Sequence, residues 1–339
     1  MISSSKTRNV VNTESAGATP LVTAIVATYN RANLVGRAIE SILAQTYRNI
    51  EVIVVDDGST DNTQQVLGKF GDQVRVITQA NAGPGAARNR GIAKAQGEIV
   101  AFLDCDDQWM PRKIERQVSA LQKAGKLAPC CICNAELRFS NGSRLTCFRN
   151  ALLNPTEDEG LWSNATEVLA DRFVLFNQMV AVRRSAFEEI GGFNEELGFL
   201  EDYDLALRLS LLGPFAFIRE PLTIWNQGSD GLSNAGHKQA ARLKEFEVKI
   251  FENVLKNVGN QGDHNALESQ MRSALAKARR TLWIARLRQK GSSSQEILGY
   301  LLDRVQHYCD AVRRRSPWFI EMKTISFPQV ATGSTGAST

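Results

Sequence analysis

The chain has 339 residues, of which 43% are hydrophobic and 22% are charged, and its formal net charge is +4. This is an ordinary globular composition, which favours neither an intrinsically disordered nor a membrane-embedded protein. The small net charge, with Lys and Arg spread along the chain, argues against nucleic acid as the main partner.

Residues 1–19 are polar and contain no apolar segment typical of a secretory signal, and no stretch reaches the roughly 18 apolar residues of a membrane span. We therefore expect a flexible polar leader and a cytoplasmic protein. The six cysteines are unevenly spaced, which is not a disulfide framework for a chain of this length. The cluster Cys130, Cys131 and Cys133 lacks the paired spacing of a zinc site, so core packing explains it better than metal binding.

Strand-length apolar runs alternate with helical patterns through the first hundred residues. This alternation predicts an open, mostly parallel α/β sheet flanked by helices, Rossmann-like, with ligand groups at the carboxyl ends of its strands. The predicted elements are strands at 21–27, 50–55, 74–77 and 99–103, and helices at 33–45, through Val66 to Phe70, and through Ile92 to Ala95.

The second half of the chain mixes short strands with loops and then becomes helical. Residues 130–225 are expected to complete the sheet, with a helix from about Asp202 to Leu212. The predicted organisation is one α/β domain with two halves, a C-terminal helical extension, and a disordered tail rich in Gly, Ser and Thr. The corresponding ranges are 20–110 and 111–232 for the halves of the domain at 20–232, then 233–328 and 329–339.

The strongest local signal is Phe102-Leu103-Asp104-Cys105-Asp106-Asp107, an apolar strand that runs into three carboxylates. Three such neighbours repel one another unless a cation or a basic partner compensates. Carboxylate oxygens at a strand end suit Mg²⁺ or Mn²⁺, which keeps open positions for diphosphate oxygens. The alternative is a solvated acidic turn in which Asp107 caps the following helix.

A second polar turn, Asp56-Asp57-Gly58-Ser59-Thr60-Asp61, follows the second predicted strand. A carboxylate there can accept hydrogen bonds from a nucleobase N–H or from ribose hydroxyls, and Gly58 permits a tight turn. Asp57 is the candidate base reader. The alternative is an Asx turn in which Ser59 or Thr60 caps the next helix.

Taken in order, these motifs resemble those of family 2 glycosyltransferases of GT-A fold, over about residues 20–225. Each motif is weak alone, but the ordered set is specific. The matching segments are Ala27-Thr28-Tyr29-Asn30, Asp56 to Asp61, Asn81-Ala82-Gly83, Ala87-Arg88-Asn89-Arg90-Gly91, Gly97-Glu98, Phe102 to Asp107, Arg183-Arg184, Gly191-Gly192-Phe193 and Leu200-Glu201-Asp202-Tyr203-Asp204-Leu205.

The resemblance implies a nucleoside-diphosphate sugar donor, with a preference for uridine, and a Mg²⁺ or Mn²⁺ cofactor. It implies that Tyr29 and Asp57 contact the base, and that Arg88 lies near the nucleotide or diphosphate. Asp104 and Asp106 would serve the ribose and the metal, with Asp106 the direct ligand. The full set implied for the nucleotide sugar is Thr28, Tyr29, Asn30, Asp57, Arg88 and Asp104, and the implied metal ligands are Asp106 and Asp104.

The resemblance also assigns the catalytic base to Asp202 and a role in orienting the acceptor to Glu201. Displacement at an anomeric carbon needs a base for the acceptor proton and charge stabilisation on the departing diphosphate. With only three histidines in the chain, a carboxylate base is more plausible than a histidine. The alternative for these carboxylates is a helix N-terminus that favours negative charge.

The implied reaction is an inverting transfer to a glycan or lipid-linked acceptor hydroxyl in cell-surface polysaccharide, glycolipid or glycan synthesis. One segment departs from the family. Where many relatives carry a basic or His-containing stretch, this chain has Ile224-Trp225-Asn226-Gln227-Gly228-Ser229, and no histidine occurs before His237. Either His237 reaches back to the diphosphate or the metal, or other groups do so.

Three rival functions remain. An aspartyl-phosphate phosphotransferase would use Asp104 as nucleophile and Asp106 as acid, but Asp107-Gln108 follows where a Gly or Thr turn is expected. A dinucleotide oxidoreductase is weaker, since Gly83-Pro84-Gly85 lacks the required spacing. A catalytically silent sugar-nucleotide-binding or scaffold protein of the same fold is the non-enzyme alternative.

Basic and aromatic side chains in the helical extension allow peripheral contact with an anionic membrane surface, at the inner face. The alternative is that these residues form the solvated faces of helices packed on the catalytic domain. The residues are Lys277, Arg279, Arg280, Arg286, Arg288, Lys290, Arg313, Arg314, Arg315, Trp318 and Phe319.

Overall fold

A computed structural model describes residues 19–226, 240–258, 265–289 and 322–328. In its first part, strands and helices alternate as the sequence pattern predicts. The elements are β1 (Val22–Thr28), α1 (Val35–Leu43), β2 (Ile50–Asp56), α2 (Thr63–Gly68), β3 (Arg75–Thr78), α3 (Pro84–Ile92) and β4 (Ile99–Asp104).

The second part adds shorter strands and the helices that cover them. Its elements are β5 (Gln108–Trp109), α4 (Lys113–Ala124), β6 (Cys130–Arg138), β7 (Arg144–Thr146), α5 (Cys147–Asn150), β8 (Glu159–Trp162), α6 (Ala165–Asp171), β9 (Val180–Arg183), α7 (Arg184–Ile190), α8 (Glu201–Ser210), β10 (Phe215–Asn226), α9 (Ala240–Val258), α10 (Asn265–Gln289) and β11 (Thr324–Ile325).

All strands of the described part belong to one sheet, whose main path runs β11-β8-β10-β6-β9-β4-β1-β2-β3. The strands β3, β2, β1 and β4 are parallel neighbours. Thr28 pairs with Asp56, and Ala27 pairs with Asp104. The carboxyl ends of β1, β2 and β4 therefore meet at one edge of the sheet, where the sequence placed its polar motifs.

Beyond β4 the sheet becomes mixed. Strand β9 lies antiparallel to both β4 and β6, and β10 runs parallel to β6. The short strand β5, directly after the acidic turn, pairs with β10 through Thr223 and Trp109. This pairing brings the carboxyl end of β10 next to the acidic turn. The predicted α/β sheet with flanking helices and a C-terminal helical extension is confirmed.

Both faces of the sheet are covered, so the central strands are apolar throughout rather than alternating. In β1, Val26 packs into the core on one face and Ile25 into the core on the other. Cys130, Cys131 and Cys133 are fully buried in these two cores. Burial raises the pKa of each of these thiols, which keeps them protonated and agrees with a packing role.

One lysine is also fully buried. Lys113, in the first turn of α4, donates a hydrogen bond from Nζ to Gln117 Oε1 at 2.7 Å. Its Nζ lies 4.2 Å from the centroid of the Trp109 ring. Burial lowers the pKa of Lys113 to about 8. No sequence pattern singled out this residue.

The C-terminal helices α9 and α10 pack against each other and against the α/β domain. Phe246, Ile250 and Val254 of α9 and Met271 of α10 are buried in the larger core. None of the helices in the described ranges combines the length and apolarity needed to cross a membrane. Residues 1–18 and 329–339, predicted to be a leader and a tail, lie outside the described residues, as does His237.

Residues 322–328 differ from the prediction, which included them in the helical extension. Thr324 and Ile325 form β11 and pair antiparallel with Trp162 and Leu161 of β8. β-branched residues suit a strand, and β8 would otherwise present an unpaired edge. Pairing with that edge therefore outweighs the helical pattern of the preceding sequence.

Candidate active site

The loops after β1 and β2 are joined through Asn30. Its backbone is left-handed, with φ of 52°, and its N–H donates to Ser59 Oγ at 2.9 Å. Its side-chain Oδ1 accepts from the Thr60 N–H at 2.7 Å. Asn30 thus holds the two loops together, and its side-chain oxygen is already engaged by a hydrogen bond within the protein. The neighbouring Tyr29 is 45% exposed, which leaves its ring open to a planar ligand, while Thr28 is buried.

Asp57, the predicted base reader, is buried and holds the loop after β3. Its carboxylate accepts hydrogen bonds from the backbone N–H of Ala82 at 2.9 Å and of Gly83 at 2.8 Å, and from Gln79 Nε2 at 2.8 Å. A carboxylate offers about four lone-pair sites, so one further bond to a ligand is possible. Asp57 therefore shapes the loop that lines this edge of the sheet.

The turn after Asp57 is held by its neighbour Asp56, which is fully buried. Asp56 Oδ1 accepts from the Ser59 N–H at 3.1 Å, and Oδ2 accepts from Gln64. Gly58 lies between them with φ of 79°, and a Cβ there would stand 3.0 Å from the Asn81 backbone nitrogen. The turn therefore requires glycine at this position.

The acidic turn after β4 is braced from two sides. The Asp107 N–H donates to the Asp104 carbonyl at 3.0 Å, which closes the turn. The Asp106 carbonyl accepts from Arg37 Nη2 at 3.0 Å and from Asn226 Nδ2 at 2.9 Å. The Asn226 N–H in turn donates to Asp107 Oδ1 at 2.9 Å. The turn is thereby fixed to α1 and to the end of β10.

These contacts assign Asp107 and Asn226 a bracing role that the sequence did not identify. Asp107 is 1% exposed, so it is neither a solvated residue nor an open ligand. Burial and the nearby Asp106 and Asp104 raise the pKa of Asp107 well above its usual value. Asn226 belongs to the segment that departs from the family pattern, and here its amide supports the turn.

Asp106 and Asp104 provide a donor set that suits a hard divalent cation. Burial and the charge of Asp104 raise the pKa of Asp106, against the lowering effect of Arg31 and Arg37. A cation between the two carboxylates would relieve this repulsion. Mg²⁺ commonly binds one or two carboxylates and completes its shell with water and phosphate oxygens. Within the described ranges, no three His, Cys, Asp or Glu side chains are grouped to hold a metal by themselves.

Arg88 connects the two halves of the domain. Its Nη2 lies 2.6 Å from Asp104 Oδ1, and its Nη1 lies 2.6 Å from Glu201 Oε1. Arg88 is 6% exposed. Burial alone would lower the pKa of Arg88, but Asp104 and Glu201 raise it further, so the guanidinium stays charged. Arg88 was predicted to lie near the diphosphate, but both of its terminal nitrogens are thus paired with carboxylates.

Asp202 follows Glu201 in the first turn of α8. Its Oδ1 accepts a hydrogen bond from the Tyr203 N–H at 2.9 Å. Burial and the charge of Glu201 raise the pKa of Asp202 well above its usual value, although Arg88 opposes this. A carboxylate with raised proton affinity is better suited to accept a proton than an ordinary surface aspartate.

The loop 191–194 is positioned by Asn89. Asn89 Nδ2 donates to the Phe193 carbonyl at 2.9 Å, and Asn89 Oδ1 accepts from the Phe193 N–H at 2.8 Å. Gly192 has φ of 80°, and a Cβ there would lie 2.7 Å from Asn89 Oδ1. The Phe193 ring lies 5.5 Å from the Arg88 guanidinium. Asn89, Gly192 and Phe193 all belong to the motifs named above, but the sequence did not predict that they touch.

The structure thus brings Arg88, Asp104 and Glu201 into direct contact, with Asp106 and Asp202 as their chain neighbours. Thr28, Tyr29, Asn30 and Asp57 lie at the adjacent carboxyl ends of β1 and β2.

A family model described as "Glycosyl transferase family 2" matches residues 23–191. An uncharacterized glycosyltransferase of Rickettsia typhi is 32% identical over 247 residues, which cover 71% of this chain and 74% of that protein. The chain belongs to glycosyl transferase family 2.

Other relatives of this chain match over smaller shares of their length. An uncharacterized glycosyltransferase of Rickettsia felis is 36% identical over 63% of this chain and 36% of that protein, so the chain spans about a third of that relative. The succinoglycan biosynthesis protein ExoO of Rhizobium meliloti is 41% identical over 40% of this chain and 38% of that protein.

Two solved structures resemble this chain in fold. Staphylococcus aureus TarS 1-349 in complex with UDP-GlcNAc matches with a TM-score of 0.58 at 18% identity, over 77% of this chain and 72% of that chain. The mannosyltransferase PcManGT from Pyrobaculum calidifontis, in complex with GDP-Man and Mn²⁺, matches with a TM-score of 0.53 at 20% identity, over 85% of this chain and 81% of that chain. The GT-A fold implied by the resemblance is therefore confirmed.

Proposed function

We propose that this glycosyltransferase moves a sugar from a nucleoside-diphosphate donor to an acceptor hydroxyl with inversion, in the synthesis of a cell-surface polysaccharide or glycan. The observation that carries the proposal is the Arg88 bridge between Asp104 and Glu201. It ties the acidic turn of the donor half to the start of α8, where Asp202 lies. Family membership and the similarity to ExoO support the same conclusion.

In the proposed donor site, the exposed ring of Tyr29 stacks on the base, and Asp57 accepts one base N–H with its remaining capacity. Asn30 and Thr28 shape this pocket rather than supply its main contacts, because Asn30 Oδ1 already binds Thr60. A uridine nucleotide is the proposed choice, supported by the UDP-GlcNAc bound to TarS. Arg88 holds Asp104 in place for the ribose and the metal.

Asp106, with Asp104, would hold Mg²⁺ or Mn²⁺ together with the donor diphosphate. When bound, the metal would supply charge stabilisation for the departing diphosphate. Asn226 and Arg37 would keep the turn in position, through the Asp106 carbonyl, as the donor arrives. The Mn²⁺ present with PcManGT supports a metal of this type.

Asp202 would act as the general base. Its carboxylate takes the proton from the acceptor hydroxyl while the hydroxyl oxygen bonds to the anomeric carbon. The bond from that carbon to the diphosphate oxygen breaks, and the nucleoside diphosphate leaves with the electron pair. Attack from the face opposite the leaving group inverts the configuration. Glu201, held by Arg88, would orient the acceptor beside Asp202.

The acceptor is proposed to be a glycan or a lipid-linked sugar, met on the cytoplasmic side of the membrane. The basic residues of α10 give this location little further support, because most of them pair with carboxylates. Lys277 contacts Asp171, Arg279 contacts Glu252, and Arg286 contacts Glu245. Membrane contact would therefore depend on other parts of the chain, such as Arg313 to Phe319, which lie outside the described residues.

The test is release of nucleoside diphosphate from a panel of UDP- and GDP-sugars, with and without an acceptor glycan. The proposal expects turnover of at least one donor that requires Asp202. If donors bind with the same affinity in wild type and in Asp202→Asn, yet neither releases nucleoside diphosphate with any acceptor, the silent binding protein becomes the better account.

A further inference from the structure

Five aromatic side chains form a continuous row, in which Tyr203 is buried and the other four are partly exposed. Neighbouring rings have their centroids 4.9 to 6.5 Å apart, which is contact distance for aromatic pairs. At the centre, the rings of Phe176 and Trp225 are stacked, with centroids 5.3 Å apart and an angle of 8° between their planes. From one end to the other, this aromatic row consists of Tyr203, Phe173, Phe176, Trp225 and Phe139.

The sheet topology places the aromatic row beside the acidic turn. Trp225 lies at the end of β10 and Phe139 directly follows β6, and these two strands are parallel. Phe176 precedes β9, which runs antiparallel to β4 and β6 and therefore begins where they end. Trp225 also directly precedes Asn226, whose Nδ2 donates to the Asp106 carbonyl at 2.9 Å. The row thus adjoins the turn that is proposed to bind the metal.

The row also adjoins the proposed base. Asp202 and Phe176 line the same small cavity between α8 and the sheet. The other α8 residues of that cavity lie three, four and seven positions after Asp202, so Asp202 is on the face of the helix that packs on the sheet. These residues are Leu205, Ala206 and Leu209. Asp202 is itself partly exposed, so a hydroxyl of a bound ligand can reach its carboxylate.

The proposed reaction confines the acceptor to this part of the sheet edge. The acceptor hydroxyl must reach Asp202 while its oxygen attacks the anomeric carbon of a donor held at Asp106. The aromatic row connects the surroundings of these two carboxylates. The sugar ring that carries the reacting hydroxyl would therefore lie against the partly exposed rings of the row.

We propose that the aromatic row, through Phe176 and Trp225, binds the terminal pyranose of the acceptor glycan. A pyranose ring suits such a surface because its faces present C–H groups, while its hydroxyls point outward from the rim. The C–H groups leave water and contact the aromatic faces, whose negative π-charge attracts them. Small-molecule sites combine apolar and aromatic contacts of this kind with a few polar groups, here the carboxylate of Asp202. The catalytic role of the row rests on the proposed function, whereas saccharide binding can be measured without any donor.

The experiment titrates the full chain with the methyl β-glucoside, β-galactoside, α-mannoside and N-acetyl-β-glucosaminide, and binding is followed by saturation-transfer NMR. Wild type is compared with Trp225→Leu, which removes the aromatic face, and with Trp225→Phe, which keeps a smaller one. Trp283→Leu is the control, because Trp283 is 39% exposed on α10 and lies outside the row. We expect at least one pyranoside to bind wild type and the control equally, Trp225→Leu roughly 10-fold more weakly, and Trp225→Phe with intermediate affinity.

With a donor and an acceptor that ends in the bound pyranose, Trp225→Leu should raise the KM for the acceptor by a similar factor and leave the KM for the donor unchanged. Phe176→Leu should show the same result, and because Phe176 does not adjoin Asn226 in the chain, it separates acceptor binding from support of the acidic turn. A rise in the donor KM alone would assign Trp225 to that support and overturn the inference.

Three results of the binding titration would also overturn the inference. They are equal affinity in wild type and Trp225→Leu, no binding of any of the pyranosides to wild type, and binding to Trp225→Phe that is no better than to Trp225→Leu. Absence of donor turnover in wild type would instead overturn the proposed function. Because the titration needs no donor, the two failures are distinguishable.

Discussion

Replacing Arg88 by Met removes the positive charge that joins Asp104 to Glu201. The side chains of Arg88 and Glu201 are 8% and 11% exposed, so Glu201 would be left as a buried, unpaired carboxylate. Removing one member of a buried ion pair typically costs 3–5 kcal/mol. Asp104 is 33% exposed and adds less, because solvent screens its charge. We expect a loss of about 3 kcal/mol in the free energy of unfolding.

The assay is denaturant unfolding, with Arg90→Met as the matched control. Arg90 lies on the same helix, α3, but is exposed and forms no ion pair with a carboxylate of the described residues, so its replacement should cost less than about 0.5 kcal/mol. The variant Arg88→Met/Glu201→Gln removes both charges and should recover part of the loss.

The reasoning would be refuted by an Arg88→Met variant as stable as Arg90→Met. It would equally be refuted if the double variant were less stable than Arg88→Met, since the penalty would then not arise from an unpaired carboxylate. Turnover measured on the same samples should fall in Arg88→Met, because Asp104 and Glu201 lose their common support. Donor turnover equal to wild type would contradict the bridging role.

Three further outcomes are expected. Asp202→Asn should lower kcat by about 10² to 10⁴-fold and leave the donor KM within about twofold in steady-state assays, and an unchanged kcat would exclude it as the base. The folded-state pKa of Lys113, about 8, lies below its unfolded value of 10.5. The free energy of unfolding of wild type should therefore rise by up to about 3 kcal/mol relative to that of Lys113→Met as the pH rises from 8 to 10.5. The same pH dependence of stability in both proteins would argue against a lowered pKa for Lys113. Asn226→Ala should destabilise by only about 1 kcal/mol in thermal melts yet lower turnover several-fold, whereas full activity would show that the acidic turn needs no brace.

Much of the fold was predictable because strand-length apolar runs and helical spacing follow from burial on both faces of a parallel sheet. The meeting of Thr28, Asp56 and Asp104 at one edge also followed, since parallel strands align their carboxyl ends. β11 was not predictable, because a two-residue strand depends on the unpaired edge of β8 and not on a local pattern.

The candidate site was predictable as a set of residues but not as a set of contacts. Asp104, Arg88 and Glu201 were each assigned from motifs, yet the ion pair of Arg88 with Glu201 joins positions 113 residues apart, and no local pattern indicates it. Asn226 carried no recognisable signal, because a single amide after a strand is common. Lys113 was missed because nothing in a helix pattern distinguishes a lysine that folds inward over Trp109 from one that faces solvent.

The central claim is that Asp106 and Asp202 act on a metal-bound nucleotide sugar from opposite sides of the Arg88 bridge. The most direct measurement is nucleoside diphosphate release from UDP-sugars, with Mn²⁺ or Mg²⁺ and with chelator, for wild type, Asp106→Ala and Asp202→Asn. The account predicts metal-dependent release in wild type, loss of the metal requirement and of most turnover in Asp106→Ala, and donor binding without turnover in Asp202→Asn. Wild-type turnover that is insensitive to chelator and retained in Asp106→Ala would contradict it.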